Sequence, residues 1–211
     1  MHPFKREKAH MGGFLLPTEK LRIVWQDMQE LDSRSYKCGY CSTVVSSDRG
    51  YAAMAMDSGD VRRTPLHYVL YICPGCSKPT FFDQERQPTP GETLGQPVAH
   101  VPETLNALYE EARRCSTYRC YTAAVMLCRK MLMHIAVEKK AAPGKTFVEY
   151  VDYLCDNHYV PPGSQEWVNR IRTKGNDANH EIFNMNHDDA KQILMFTEML
   201  LTLIYAFPSS L

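Results

Sequence analysis

Two short segments, CGYC at residues 38–41 and CPGC at residues 73–76, constrain this chain more than any other feature. Two residues between paired cysteines let a tight turn aim both sulfurs at one point, and a second such turn completes a tetrahedron around one metal ion. Gly39, Pro74 and Gly75 are residue types that suit such turns. The sequence around the pairs alternates as short strands do, in SYKCGYCSTVVSS, GYAAMAM, LHYVLYICPGC and KPTFFDQ. The spacing therefore predicts a small antiparallel zinc ribbon over residues 1–90, with Cys38, Cys41, Cys73 and Cys76 as ligands of a structural Zn2+. A ribbon of this size has little core, and the metal would supply the missing stability. The alternative is a pair of redox dithiols or plain buried cysteines, although a thioredoxin-like dithiol needs a βαβ setting that the sequence lacks. Ahead of the ribbon, Leu21, Val24, Trp25, Met28 and Leu31 recur at helical spacing and predict a short helix over residues 18–31.

The chain has eight cysteines, and the other four, Cys115, Cys120, Cys128 and Cys155, fall among apolar positions of helical patterns. They read as small core hydrophobes. The opening MHPFKREKAHMGG is basic but has no apolar run behind it, so a secretory leader is not expected and the cytoplasm is the expected compartment. Lysine plus arginine number 24 and aspartate plus glutamate 24, so the formal charge is zero. A basic coat for a phosphate backbone is excluded, and any contact with RNA or DNA has to be local. The longest apolar run, residues 193–207, contains Glu198 and falls short of the ~20 residues of a membrane span.

RQPTPGETLGQPVAHVP, residues 86–102, is rich in Pro and Gly and reads as a linker or long ordered loop, with the linker proper at 91–101. Residues 102–211 then carry helical periodicity throughout. Leu105, Leu108, Tyr109 and Ala112 line one face, and Tyr121, Ala124, Cys128, Met131 and Ile135 line another helix. Thr146 and Glu149 have capping-box spacing. Ser164 suits the cap of a fourth helix, NHDDA caps a fifth, and that last helix is apolar on nearly every side. The expected class is α+β, a ribbon followed by a bundle of about five helices.

The segment RIRTKGNDANHEIF, residues 170–183, gathers hydrogen-bonding groups beside that apolar helix. Arg172, Asn176 and His180 recur every four residues and would share one side of a continuous helix. A guanidinium can fork two phosphate oxygens, and an imidazole can move a proton near neutral pH. Acting on an RNA 2′-hydroxyl, such a pair would need no metal. The same residues would equally serve as a buried polar seam between helices. Arg129, set among apolar neighbours in MLCRKML, points to the seam, because a charge there wants a partner. Glu110, Glu181 and the carbonyls of GNDANH are the candidates.

LYEEARRCSTYRCYTAAVMLCRKML, WVNRIRTKGNDANH and a closing helix ending LIYAFP together resemble domain-of-unknown-function family 4145 over residues 102–208. The matching positions are Tyr109, Glu111 and Ala112; Ala123, Ala124 and Arg129; and Arg172, Gly175, Asn176 and His180. The resemblance implies an all-helical bundle related to the HEPN superfamily, often dimeric and often preceded by a zinc ribbon. It implies a prokaryotic or mobile-element protein tied to nucleic acid, restriction or antiviral defence systems. It also marks Arg172 and His180 as the candidate catalytic pair, with Asn176 as a positioner. Two functions are then expected to compete. One is a zinc-binding adaptor that docks RNA, DNA or a defence-system protein. The other is a metal-independent endoribonuclease.

Overall fold

The computed structural model describes residues 27–54, 65–161, 167–169 and 184–208, and the side chains of 54 and 65–67 are not among them. Five antiparallel strands come first: β1 (Gln29–Lys37), β2 (Val44–Met54), β3 (Pro65–Ile72), β4 (Pro79–Phe82) and β5 (Pro88–Thr89). They pair in chain order, each with the next. Among the described residues, four α-helices follow, α1 (Glu103–Thr117), α2 (Tyr121–Glu138), α3 (Phe147–Asp156) and α4 (His187–Leu201), with helical residues 167–169 between the last two. A π-helical turn, Thr202–Ala206, extends α4. The chain is α+β, with the sheet before the helices.

The sheet buries a small aromatic cluster. Tyr36 from β1, Tyr71 from β3 and Phe82 from β4 meet edge-on or tilted, with centroids 5.3–6.4 Å apart. Arg34 lays its guanidinium over the Phe82 ring at 4.1 Å, so its stem covers a core too thin to close itself. The helical core is larger. The helix α2 runs through its centre and packs against α1, α3 and α4. It buries Ala124, Val125, Cys128, Met131, Leu132, Ile135 and Ala136. Trp167 meets Phe196 of α4 edge-on at 5.4 Å, which brings helical residues 167–169 against the same core.

Three expectations are corrected. Residues 29–31, placed at the end of a helix by their spacing, belong to β1, and Leu31 packs against the sheet cluster. Residues 18–26 of that helix lie outside the described residues. The segments VVSS and GYAAM, read as parts of separate strands, are one continuous strand with Gly50 in its middle. A Cβ there would collide with the Leu70 carbonyl of β3, so glycine is needed for a close backbone approach. The closing helix is not dry on every side, since Met195 is 46% exposed and Phe207 58% exposed.

The Pro/Gly-rich segment between the units is ordered and fastened at both ends. We call residues 90–97 the strap. Toward the sheet, Thr93 donates to the Gly39 carbonyl at 3.2 Å, and Lys37 pairs with Glu92 at 2.6 Å. Toward the helices, the Gly91 amide donates to the Thr117 carbonyl at 2.7 Å and the Leu94 amide to Ser116 Oγ at 3.1 Å. Leu94 itself is buried in the helical core.

Candidate metal centre

Each cysteine pair lies in a hairpin turn, one joining β1 to β2 and the other β3 to β4. The two turns have the same backbone. The Ser42 amide donates to the Cys38 carbonyl at 2.8 Å and the Cys38 amide to the Thr43 carbonyl at 3.0 Å. The Ser77 amide donates to the Cys73 carbonyl at 2.8 Å and the Cys73 amide to the Lys78 carbonyl at 3.0 Å. The residue after each second cysteine is left-handed, Ser42 at φ 57° and Ser77 at φ 58°. A non-glycine residue there costs about 1 kcal/mol. Its recurrence at equivalent places marks a geometry that the fold holds on purpose. The strained positions are thus serines. Gly39 is glycine for another reason: its Cβ would run into the Gly91 carbonyl oxygen and stand 2.9 Å from that of Pro90.

The turns bring Cys38, Cys41, Cys73 and Cys76 into one cluster, with all four sulfurs within 4.8 Å of one another. Cys38 Sγ lies 3.7 Å from Cys76 Sγ, and Cys41 Sγ lies 3.8 Å from Cys73 Sγ. A tetrahedron of sulfurs about 2.3 Å from a central zinc has edges of about 3.8 Å, so these spacings are those of a thiolate cage. They are far too long for a disulfide bond, which needs about 2.05 Å. All four are free thiols. Cys38 and Cys73 are buried, Cys76 is half-buried and Cys41 is exposed, so the cage sits at the edge of the sheet with one corner toward solvent.

Its electrostatics invite a cation. Burial pushes the Cys76 thiol up to about 12, against the pull of the Lys78 amide, and the three neighbouring thiols add to the rise. Burial likewise raises Cys38. At Cys41 burial also pushes upward, but hydrogen bonds from Thr43 and the thiols of Cys38 and Cys76 outweigh it and bring the thiol down to about 6. Once one of the four has ionised, its thiolate opposes ionisation of the thiols beside it, and a bound divalent ion would reverse that sign. A metal ion held tetrahedrally by four protein sulfurs would have no position left open for substrate.

The other anticipated residues fare differently. Arg172, Asn176 and His180 lie outside the described residues, as does Glu181. Arg129 is buried in α2 with its guanidinium 4.4 Å from the Phe147 ring centroid, and burial lowers its pKa. Glu110, a suggested partner for it, is instead engaged by Arg113, at 2.7 and 2.8 Å. Arg113 also donates to the Gly95 carbonyl at 3.2 Å. Tyr109 donates to the Gln96 carbonyl at 3.0 Å, and Glu198 of α4 accepts from the Gln96 amide at 3.0 Å. Sequence reasoning missed this strap network. The signal available was the pairing of a buried tyrosine and arginine in α1 with a segment rich in glycine and proline.

Between the first cysteine turn and α1 lies a cleft of 510 Å³, lined in part by Tyr40, Pro90, Pro97, Arg114 and Tyr118. Of the sheet aromatics, Tyr40 and Phe81 are exposed, whereas Tyr36, Tyr71 and Phe82 are core. No described helix is long and apolar enough to cross a membrane.

No curated protein and no solved structure matches the chain. Residues 110–210 match the family described as Domain of unknown function (DUF4145), a span that starts within α1 and takes in the resembling motifs from Glu111 to His180. The helical part of this chain belongs to the DUF4145 family.

Proposed function

We propose that this chain is a zinc-stabilised adaptor: a zinc ribbon strapped to a HEPN-like helical bundle, docking nucleic acid or a defence-system partner without catalysing a reaction. The observation that carries the reading is the cluster of four cysteine sulfurs, all within 4.8 Å of one another and with two of the spacings, 3.7 and 3.8 Å, at tetrahedral edge length. Zinc bound there would offset two of the four thiolate charges and cross-link the two hairpins. Cys38 and Cys73 anchor the buried side of the cage, and Cys41 and Cys76 close it. The turn that carries Cys38 and Cys41 is the one that grips the strap, through the Gly39 carbonyl. Metal binding would therefore set the position of the binding surface between the two units.

The test is metal analysis of the purified protein together with an RNA cleavage assay. One zinc per chain, lost in Cys38→Ser and Cys73→Ser, and RNA left intact, is the expected result. Metal-independent cleavage that His180→Ala abolishes at unchanged melting temperature would replace this reading with the endoribonuclease.

A further inference from the structure

The cleft between the cysteine turn and α1 combines groups that rarely meet by accident. Tyr40 enters from the turn and is 41% exposed, and Tyr118 enters from the end of α1 and is 55% exposed. Both phenols line the same cleft. Neither belongs to the core of its own unit, so packing does not account for them. Pro90 and Pro97 of the strap line the same cleft.

Charge selects the occupant. The carboxylate lining the cleft, Glu110, is taken by Arg113. Arg114, on the same wall, is exposed, and its guanidinium has no ion pair among the described residues. Lys78 stands over the Tyr40 ring at 5.0 Å, also with no carboxylate in ion-pair range among the described residues. Lys78 and Arg114 thus stand as cations with no carboxylate partner among the described residues, beside two accessible aromatic side chains. A neutral proline-rich peptide could use the rings but would leave the cations unanswered. An aromatic base joined to a phosphate answers both. The cleft volume is that of a small-molecule site, which admits a splayed nucleotide and not a duplex, whose bases are shielded by stacking.

We propose that this cleft binds a segment of single-stranded nucleic acid, with bases stacked on Tyr40 and Tyr118 and a phosphate held by Arg114. The proposal rests on the adaptor reading and names the ligand class of that adaptor. Because Tyr40 lies in the cysteine turn and Tyr118 caps the end of α1, the site exists only while the strap holds the two units together.

The experiment is fluorescence anisotropy of the full-length, zinc-loaded chain with labelled oligo-U, oligo-dT and a duplex of equal length, with metal content measured on the same sample. Single strands should bind and the duplex should not, and the RNA and DNA arms show which backbone is preferred. Tyr118→Ala should weaken binding by about tenfold or more, while Tyr118→Phe retains it. Arg114→Gln should weaken binding and flatten the salt dependence by about 0.7 in log–log slope, the loss of one phosphate contact. Phe81→Ala, an exposed aromatic outside the cleft, should change nothing. Oligonucleotide binding that ignores both Tyr118→Ala and Arg114→Gln would overturn the cleft assignment and leave the adaptor reading standing. No single-strand binding by a zinc-loaded chain, or binding of a proline-rich peptide in its place, would overturn the nucleic-acid assignment. A chain without zinc would sink the adaptor reading itself.

Discussion

Gly39 shows how one missing side chain couples two units. The strap passes where its Cβ would be, against the carbonyls of Pro90 and Gly91. Gly39→Ala must push backbone against backbone, and a cost of about 1–3 kcal/mol is expected, read as a lower denaturation midpoint with zinc content retained. Arg129 is the second decisive residue. Its stem is buried in α2 and its charge lies over Phe147. Arg129→Ala should destabilise the helical unit by about 2 kcal/mol or more in equilibrium unfolding, because a desolvated cation–π contact and its packing are both lost. The cysteine cluster was legible in sequence because each pair is local, with two residues between its cysteines within one turn. The surroundings of Arg129 were not. Phe147 comes from another helix, and Glu110, which its sequence position offered as a partner, is one turn from the competing Arg113.

Elements announce their ends better than their middles. The capping box that opens α3 forms as its spacing predicts, with Thr146 Oγ1 accepting from the Glu149 amide and the Glu149 carboxylate accepting from the Thr146 amide at 2.7 Å. Asn186 and Asp189 form the same motif at α4. Thr146→Ala should cost about 1 kcal/mol, measured by urea unfolding at neutral pH. The bonds from Thr146, side chain first, hold the Glu149 pKa below its ordinary 4.5. Its stabilising contribution is therefore complete above that value and disappears as pH falls through the lowered one. Glu149→Gln should remove this part of the acid limb of the stability profile, and an unchanged acid limb would contradict the capping role. The strand β2 was misread for the opposite reason: Asp48, Arg49 and Gly50 have the composition of a turn. Close approach to β3, a tertiary demand, makes a glycine necessary inside a strand. Similarly, helical spacing up to Leu31 yields to pairing of β1 with β2.

At the scale of the molecule, the order of units and the α+β class follow from pattern alone, since alternation gives way to helical periodicity across a proline-rich segment. The function of that segment does not. Its contacts join residues as far apart as Gln96 and Glu198, and no local rule pairs them. The two units also differ in what holds them. The helices share a broad apolar core, whereas the sheet has an aromatic cluster and the sulfur cage. Chelation of the metal should therefore unfold the sheet and release the strap while helical circular dichroism persists. Simultaneous loss of both signals at the same chelator concentration would mean that the bundle depends on the cage for its own stability.

The central claim concerns the four sulfurs, and X-ray absorption at the zinc edge on the purified protein tests it most directly. The account predicts one zinc per chain with four sulfur neighbours at about 2.3 Å and no oxygen or nitrogen in the first shell. A chain that carries no zinc, or zinc with a light-atom ligand in place of a cysteine, would contradict it.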